Sequence, residues 1–449
     1  MKNKNFISDT MHMYIMFILF GISTIVYAQT NNPHFVKINT EYNVPYSIDY
    51  GYKYLKGWDD LTPIIMTYVN NDGSVSVCSV DNETKQTYIY EYSKDLKLTK
   101  TMIFKNELDK LGAFTKDDEG NFYIFYAKKA NNYNEKNMAI IKYNNESEKI
   151  KEYKLEAYAA NSRDGVRNPF YAGACRLELS GSMLAVYFAR EMFSGHQASY
   201  GFVLDKDTFE RIDRGQLIEM RINGILVMED KVMPYASHSF NQFILPVDGG
   251  FLYANQGDMY PRGFVFELFK AGRKSNKLMS FTFKKGGKYQ YTFAQLGGMA
   301  KTASGYIFLG AYEKNSIVSH VSHNDSRNLF ILTFDENLTS CGMPIWITNY
   351  ANKLTENAAN PKIALIGSER YLIMWECMTQ NEYKTTYMRI INEKGEPLSG
   401  EVELPNIRLN LNDVLRYSQT TGNVHWAVNN GNKEIIVYAL NPDNPVLGE

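Results

Sequence analysis

An excess of charge of either sign is missing from this chain: 48 Lys and Arg stand against 49 Asp and Glu in 449 residues, a formal net charge of −1. Binding to nucleic acid or to an anionic membrane surface rests on a basic excess that displaces counterions, so the chain as a whole fits neither partner. Cysteine is scarce too, with 4 copies. Cys78, Cys175, Cys341 and Cys377 lie far apart inside apolar segments, with no CxxC or Cys/His cluster of the kind zinc requires. In an oxidising compartment they allow three connectivities, or they stay as buried thiols. Helical periodicity is nearly absent, and Lys105–Leu111 predicts one short turn at most. Familiar catalytic motifs are missing as well. No G-x-S-x-G elbow, P-loop, G-x-G-x-x-G or H-E-x-x-H occurs, and no cofactor is predicted.

A single apolar run is long, Met13–Val26. Lys2 and Lys4 precede it and Val26-Tyr27-Ala28 closes it, which is the pattern of a secretory signal peptide. Cleavage after Ala28 leaves a domain over residues 29–449. An uncleaved anchor is the competing reading, and the run is short for a span. Asp9 interrupts the basic start, so Met11 or Met13 is an alternative initiation point. The expected product is a protein that is secreted, periplasmic or on the cell surface. It is read as a monomer without a membrane span once the signal is removed.

What the sequence has in plenty is aromatic residues, 33 Tyr and 25 Phe, in a chain that is 44% hydrophobic and 22% charged. Planar side chains pack well on pleated surfaces, so this composition predicts a folded, strand-rich protein. A degenerate repeat supports the reading: apolar strand, polar turn, aromatic strand, variable loop, alternating strand, charged turn, strand. One copy runs Leu111–Thr115, Asp117–Asn121, Phe122–Ala127, Met138–Tyr143 and Lys149–Leu155. About seven such units follow one another, each near the roughly 40–50 residues of a four-stranded propeller blade. The fold class expected is therefore all-β, a single β-propeller. Each unit is a small sheet with two apolar faces, and a ring buries both while protecting the sheet edges. The last unit, Asn412–Leu440, lacks a fourth strand, and Phe35–Thr40 is the segment that supplies it and closes the ring. Two β-sandwiches are the competing architecture.

In a propeller, the loop leading into each innermost strand and the loop between the second and third strands open on one face, where ligands usually bind. Long loops with unusual residues fall there in the third to fifth units. The third holds Asn161–Tyr171, with Arg163 and Arg167, and Arg190-Glu191-Met-Phe-Ser-Gly195-His196-Gln197. The fourth holds Ser237-His238-Ser239-Phe240-Asn241-Gln242 and Gly257-Asp258-Met-Tyr260-Pro261-Arg262. The fifth holds His320-Val-Ser-His323. Clustered Arg, His and Asp on a neutral protein point to recognition of a polar or anionic ligand, and the ligand-binding candidates are Arg167, Arg190, His196, Gln197, His238, Asn241, Asp258, Tyr260 and Arg262. Each has a plain alternative as a loop cap, a paired turn charge or a solvated side chain. Catalysis would draw on Asp258, Glu191 or His238 as acid or base. A Ser-His-Asp set from Ser239, His238 and Asp258 fails because neighbouring strand residues point opposite ways. A sialidase-like site has its Arg, Tyr and carboxylate in Arg167, Arg190, Arg262, Tyr260 and Asp258, but the Ser-x-Asp-x-Gly-x-Thr-Trp boxes are missing. A metal would draw on His196, His238, His320 and His323, although His320-x-x-His323 lies on a loop rather than a helix. Trp346, Trp375 and Trp426 read as fillers between blades, and Trp58 as a surface residue.

The elements "HQ" at His196-Gln197, "SFNQ" at Ser239–Gln242 and "GD-x-YPR" at Gly257–Arg262, with Pro361-Lys362 and Met374-Trp375-Glu376 further on, resemble those of a group of uncharacterised exported bacterial proteins with propeller-like repeats. The resemblance covers most of the mature chain. It implies the fold and export, and it brings no activity. The reading is thus an exported, non-catalytic recognition propeller for an extracellular glycan, peptide or small anionic ligand. A polysaccharide-acting hydrolase or lyase on the same scaffold is the alternative.

Overall fold

Strand follows strand wherever the chain is described, with polar turns between them and no helix. The computed structural model describes residues 34–47, 65–158, 165–213, 217–222, 225–229, 237–257, 263–273, 275–281, 294–313, 326–351, 356–379 and 382–445. The outcome is a seven-bladed β-propeller. Strand β1 (His34–Asn39) stands apart at the start. Blade 1 is β2 (Ile65–Val69), β3 (Val75–Asp81), β4 (Gln86–Tyr92) and β5 (Leu98–Lys105). Blade 2 is β6 (Lys110–Lys116), β7 (Phe122–Ala127), β8 (Lys136–Tyr143) and β9 (Lys149–Glu156). In blade 3 the inner edge is shared by β10 (Asn168–Pro169) and β11 (Cys175–Ser180), which both pair with β12 (Met183–Glu191); β13 (Gln197–Asp205) lies outside it.

Blade 4 opens with a hairpin, β14 (Leu217–Ile222) and β15 (Ile225–Glu229), ahead of β16 (Phe240–Val247), β17 (Gly250–Gln256), β18 (Phe264–Lys270) and β19 (Ser275–Phe281). Blade 5 is β20 (Gln295–Lys301), β21 (Gly305–Glu313), β22 (Arg327–Asp335) and β23 (Ile345–Trp346). Blade 6 is β24 (Asn357–Leu365), β25 (Tyr371–Thr379), β26 (Glu382–Ile391) and β27 (Val402–Leu404). Blade 7 is β28 (Arg416–Tyr417), β29 (Val424–Asn430) and β30 (Glu434–Leu440). Its fourth strand is β1, which pairs antiparallel with β30 from His34↔Ala439 to Asn39↔Glu434. Ring closure by the N-terminal segment is therefore as the sequence predicts.

Local chemistry makes the tight turns. In blade 2 the Asp117 carboxylate accepts the backbone N–H groups of Glu119 and Asn121, and Gly120 takes the positive φ of +86° that the turn needs. Asn144 and Asn392 repeat the device at other hairpins of the same face. Between blades, every seam has an apolar core. Blades 1, 2 and 3 share the largest, where Phe125 meets Phe170, Phe188 and Phe202 with ring centroids 5.6, 5.5 and 6.5 Å away. Ile38 of β1 joins Ile65, Val75 and Ile435 in the core between blades 7 and 1. Each buried side chain of this size contributes about 1.5–3 kcal/mol, which the isolated blades would forgo.

Amide side chains latch the blades on the face of the long loops. Asn137 Nδ2 donates to Val166 O at 2.8 Å, Asn360 Nδ2 to Leu409 O at 2.9 Å and Asn410 Nδ2 to Ile65 O at 2.9 Å. Several details depart from expectation. Lys105–Leu111 forms no helical turn, because strands run to Lys105 and from Lys110. The blade 4 sheet holds six strands, with β14 parallel to β19. Trp375 and Trp426 fill seams, Trp346, half-buried on β23, packs against the core between blades 4 and 5, and Trp58 lies outside the described residues. All four cysteines are free thiols, three of them buried.

Candidate functional site

Blades 2 and 3 bring three loops together on the long-loop face. The β7–β8 loop carries Tyr133, the chain after β9 carries Tyr158, and the β12–β13 loop carries Phe193. Tyr133 lies 4.1 Å from Phe193 and 5.8 Å from Tyr158 between ring centroids. The two tyrosines are 43% and 54% exposed, although the remaining tyrosines of the blades are mostly buried. Exposed aromatic clusters of this kind mark interaction surfaces, since their faces offer apolar area to a ligand at little conformational cost. Backbone bonds hold the platform: Ala130 N donates to Arg167 O at 2.7 Å, and Arg167 N to Glu191 O at 2.9 Å.

Charged and ionisable groups adjoin the aromatics. The Arg167 guanidinium lies 3.6 Å from the Glu191 carboxylate, both partly exposed. One hairpin turn further, His196 and His238 face each other with ring centroids 4.5 Å apart, and His196 Nε2 shares a 2.8 Å hydrogen bond with Ser237 Oγ. The two histidines are 42 positions apart in sequence and meet because His238 N donates to Gln197 O at 2.8 Å, stitching blade 4 to blade 3. His238 keeps a positive φ of +46°, and so does Asn241 at +50°, beside the bulge between Phe240 and Phe243.

Other candidates sit deeper. Arg190 is 1% exposed, stacks its guanidinium 5.1 Å from the Tyr200 ring centroid and donates to Gly165 O at 2.5 Å. Gln197 is buried, and its Nε2 donates to Ser239 O at 2.5 Å across the seam. Both support the surface from beneath. Asn241 is half-buried. Asp258, Tyr260, Arg262, His320, His323 and Arg163 lie outside the described residues. Among the described residues, no group of three or more His, Cys, Asp and Glu is arranged to hold a metal ion.

A second polar assembly has no counterpart in the sequence reading. The central channel widens towards the tight-turn face into a chamber of about 500 Å³, lined by the inner strands of all seven blades. Across it the Arg416 guanidinium grips the Glu178 carboxylate, with Nη2 to Oε1 at 2.7 Å and Nη1 to Oε2 at 3.4 Å. Asp413 is buried beside them and accepts Thr67 N at 2.7 Å. Burial pushes its carboxyl above the ordinary range, against the pull of Arg416 and Arg176. Burial likewise lowers the Arg176 guanidinium, which Asp413 and Glu178 oppose. Lys362 Nζ donates to Leu411 O at 3.2 Å and to Asp413 O at 2.8 Å. One signal for this cluster was present: Arg176-Leu-Glu178 and Asp413-Val-Leu-Arg416 put paired charges of both signs in or just before innermost strands.

The class is thus a seven-bladed propeller with a furnished loop face and a charged channel. No protein-family model and no curated protein matches the chain. Solved structures give distant likenesses. A Trypanosoma rangeli sialidase in complex with 2,3-difluorosialic acid aligns with a TM-score of 0.40 at 12% identity, over 73% of this chain and 54% of the sialidase. The chain thus spans little more than half of that enzyme. A Synechocystis apocarotenoid oxygenase mutant aligns at 0.41 with 8% identity, over 77% of this chain and 73% of its own. A putative 6-phosphogluconolactonase from Bacteroides uniformis aligns at 0.41 with 10% identity, over 86% and 93%. Likeness at this level says nothing about chemistry.

Proposed function

We propose that the chain is an exported recognition propeller that binds an extracellular glycan on the loop face of blades 2 to 4. The observation that carries the reading is the cluster of the exposed Tyr133 and Tyr158 with the half-buried Phe193, set beside the Arg167–Glu191 pair and the His196–His238 pair. An aromatic face meets the C–H face of a sugar ring through dispersion, while hydroxyls need donors and acceptors at the rim. Asp258, Tyr260 and Arg262 belong to the same proposal as further rim residues, and so does the export signal before residue 29.

The test is binding to an immobilised glycan panel by the full mature chain. Tyr133→Ala combined with Phe193→Ala is expected to weaken the strongest hit about tenfold or more, equivalent to about 1.4 kcal/mol. Its melting temperature should stay close to that of the parent, because Tyr133 is exposed and Phe193 is not in a blade core. Unchanged binding would remove the platform reading. A hydrolase or lyase using Glu191 and His238 is distinguished on the same panel: product release that ends in Glu191→Gln would replace recognition by turnover.

A further inference from the structure

The turn-face chamber has two unlike walls. Blades 4, 5 and 6 contribute Phe243, Leu245, Met299, Ile363 and Leu365, a largely apolar half whose one charged residue, Lys301, is paired with Asp248. Blades 1, 2, 3 and 7 contribute the charged pair Glu178 and Arg416 with Tyr68 and Thr115, interspersed with Val69, Leu179, Val414 and Leu415. Behind the charged pair stand Arg176, Asp413 and Lys362, so the assembly counts three cationic side chains against two carboxylates. One of those carboxylates is spent on Arg416 and the other on a backbone N–H of blade 1. The Nε–H groups of Arg176 and Arg416 are buried without a hydrogen-bond partner. A guanidinium has five donors in a planar fork, and carboxylates are the groups that fit it.

We propose that this chamber binds a small organic carboxylate with an apolar body, as a site separate from the loop face. The head lies against Arg416, within the positive field of Arg176, and the body lies along Phe243, Leu245, Met299 and Ile363. Charge complementarity chooses the head. The largely apolar wall of blades 4 to 6 chooses the body, because an inorganic anion would leave that wall wet. Glu178 competes with the ligand for Arg416, and this gives the proposal a sign that a merely structural ion pair lacks.

Calorimetric titration of the full mature chain with octanoate is the test, with acetate and 1-octanol as head-only and body-only controls. Saturable octanoate binding is expected, with each control weaker by about tenfold or more. Glu178→Gln keeps a hydrogen-bond acceptor for Arg416 but removes the competing charge, and it should tighten octanoate several-fold while leaving octanol unchanged. Leu245→Trp fills the apolar half without touching the charged network and should abolish binding. The loop-face variant His196→Ala/His238→Ala should bind octanoate like the parent. Octanol binding as well as octanoate, no saturation by octanoate, or affinity indifferent to Leu245→Trp would each overturn the proposal. If Glu178→Gln does not fold, Leu245→Trp together with the octanol control decides the matter.

Discussion

Buried side chains whose polar atoms find no partner set the sharpest expectations at the scale of single residues. His425 on β29 is fully buried, and burial pushes its imidazole down to about 4. It is neutral in the fold and takes up a proton in the unfolded chain below its ordinary value near 6.5. The unfolded state therefore binds more protons between about pH 6.5 and pH 4, and stability falls as pH drops through that window. The loss attributable to His425 is on the order of 3 kcal/mol at pH 4, since a tenfold difference in proton affinity between the two states is worth about 1.4 kcal/mol. Urea midpoints for the parent and His425→Leu, compared at pH 7 and pH 4, should show a shallower decline in the variant. Gln256 offers the opposite case: it is fully buried and neither amide atom is paired. Gln256→Leu should be neutral or stabilising by about 1 kcal/mol in the same assay, because an unsatisfied amide has little to lose. Gly112 tolerates nothing larger. A Cβ there would lie 2.3 Å from Phe170 Cζ, so Gly112→Ala should destabilise by about 1–3 kcal/mol.

At the scale of the element, β1 is the piece whose removal should matter most. It pairs with β30 alone and carries Ile38 into the core between blades 7 and 1. Ile38→Ala should cost about 2–5 kcal/mol by chemical denaturation. Deleting β1 should expose the β30 edge and give soluble aggregates on a sizing column. This strand was legible beforehand because its apolar alternation stood alone after the signal run and the last repeat was one strand short. Most second and third blade strands were legible for a related reason: period-two aromatic runs bounded by Asp, Asn and Gly turns are local signals. The hairpin β14–β15 was not, since it augments a blade from outside and needs no gap in the repeat to announce it. Tyr133 and Phe193 escaped notice because they stack only after two loops converge. His196 and His238 were expected on one face as separate candidates, and their 4.5 Å approach is the part that the fold supplied. The Glu178–Arg416 pair spans 238 positions, and nothing short of the closed ring joins its ends.

For the molecule as a whole, stability rests on seams between blades and not on covalent bridges. The four thiols are free, and Cys341 is the one that is not buried. A reducing agent should leave the melting temperature unchanged. A maleimide probe should label Cys341 ahead of the others in the native protein and reach all four only after denaturation. The two proposed sites lie towards opposite faces of the ring and share no residue, so variants at either should add independently in stability measurements.

Closure by β1 has a consequence for the time course of synthesis. Asn39 is made 395 residues before its partner Glu434. At the usual pace of about 5–20 residues per second, the strand waits on the order of half a minute for a mate. No partial product emerging from the ribosome is a finished ring, so the nascent chain stays pliant until its last hairpin is out.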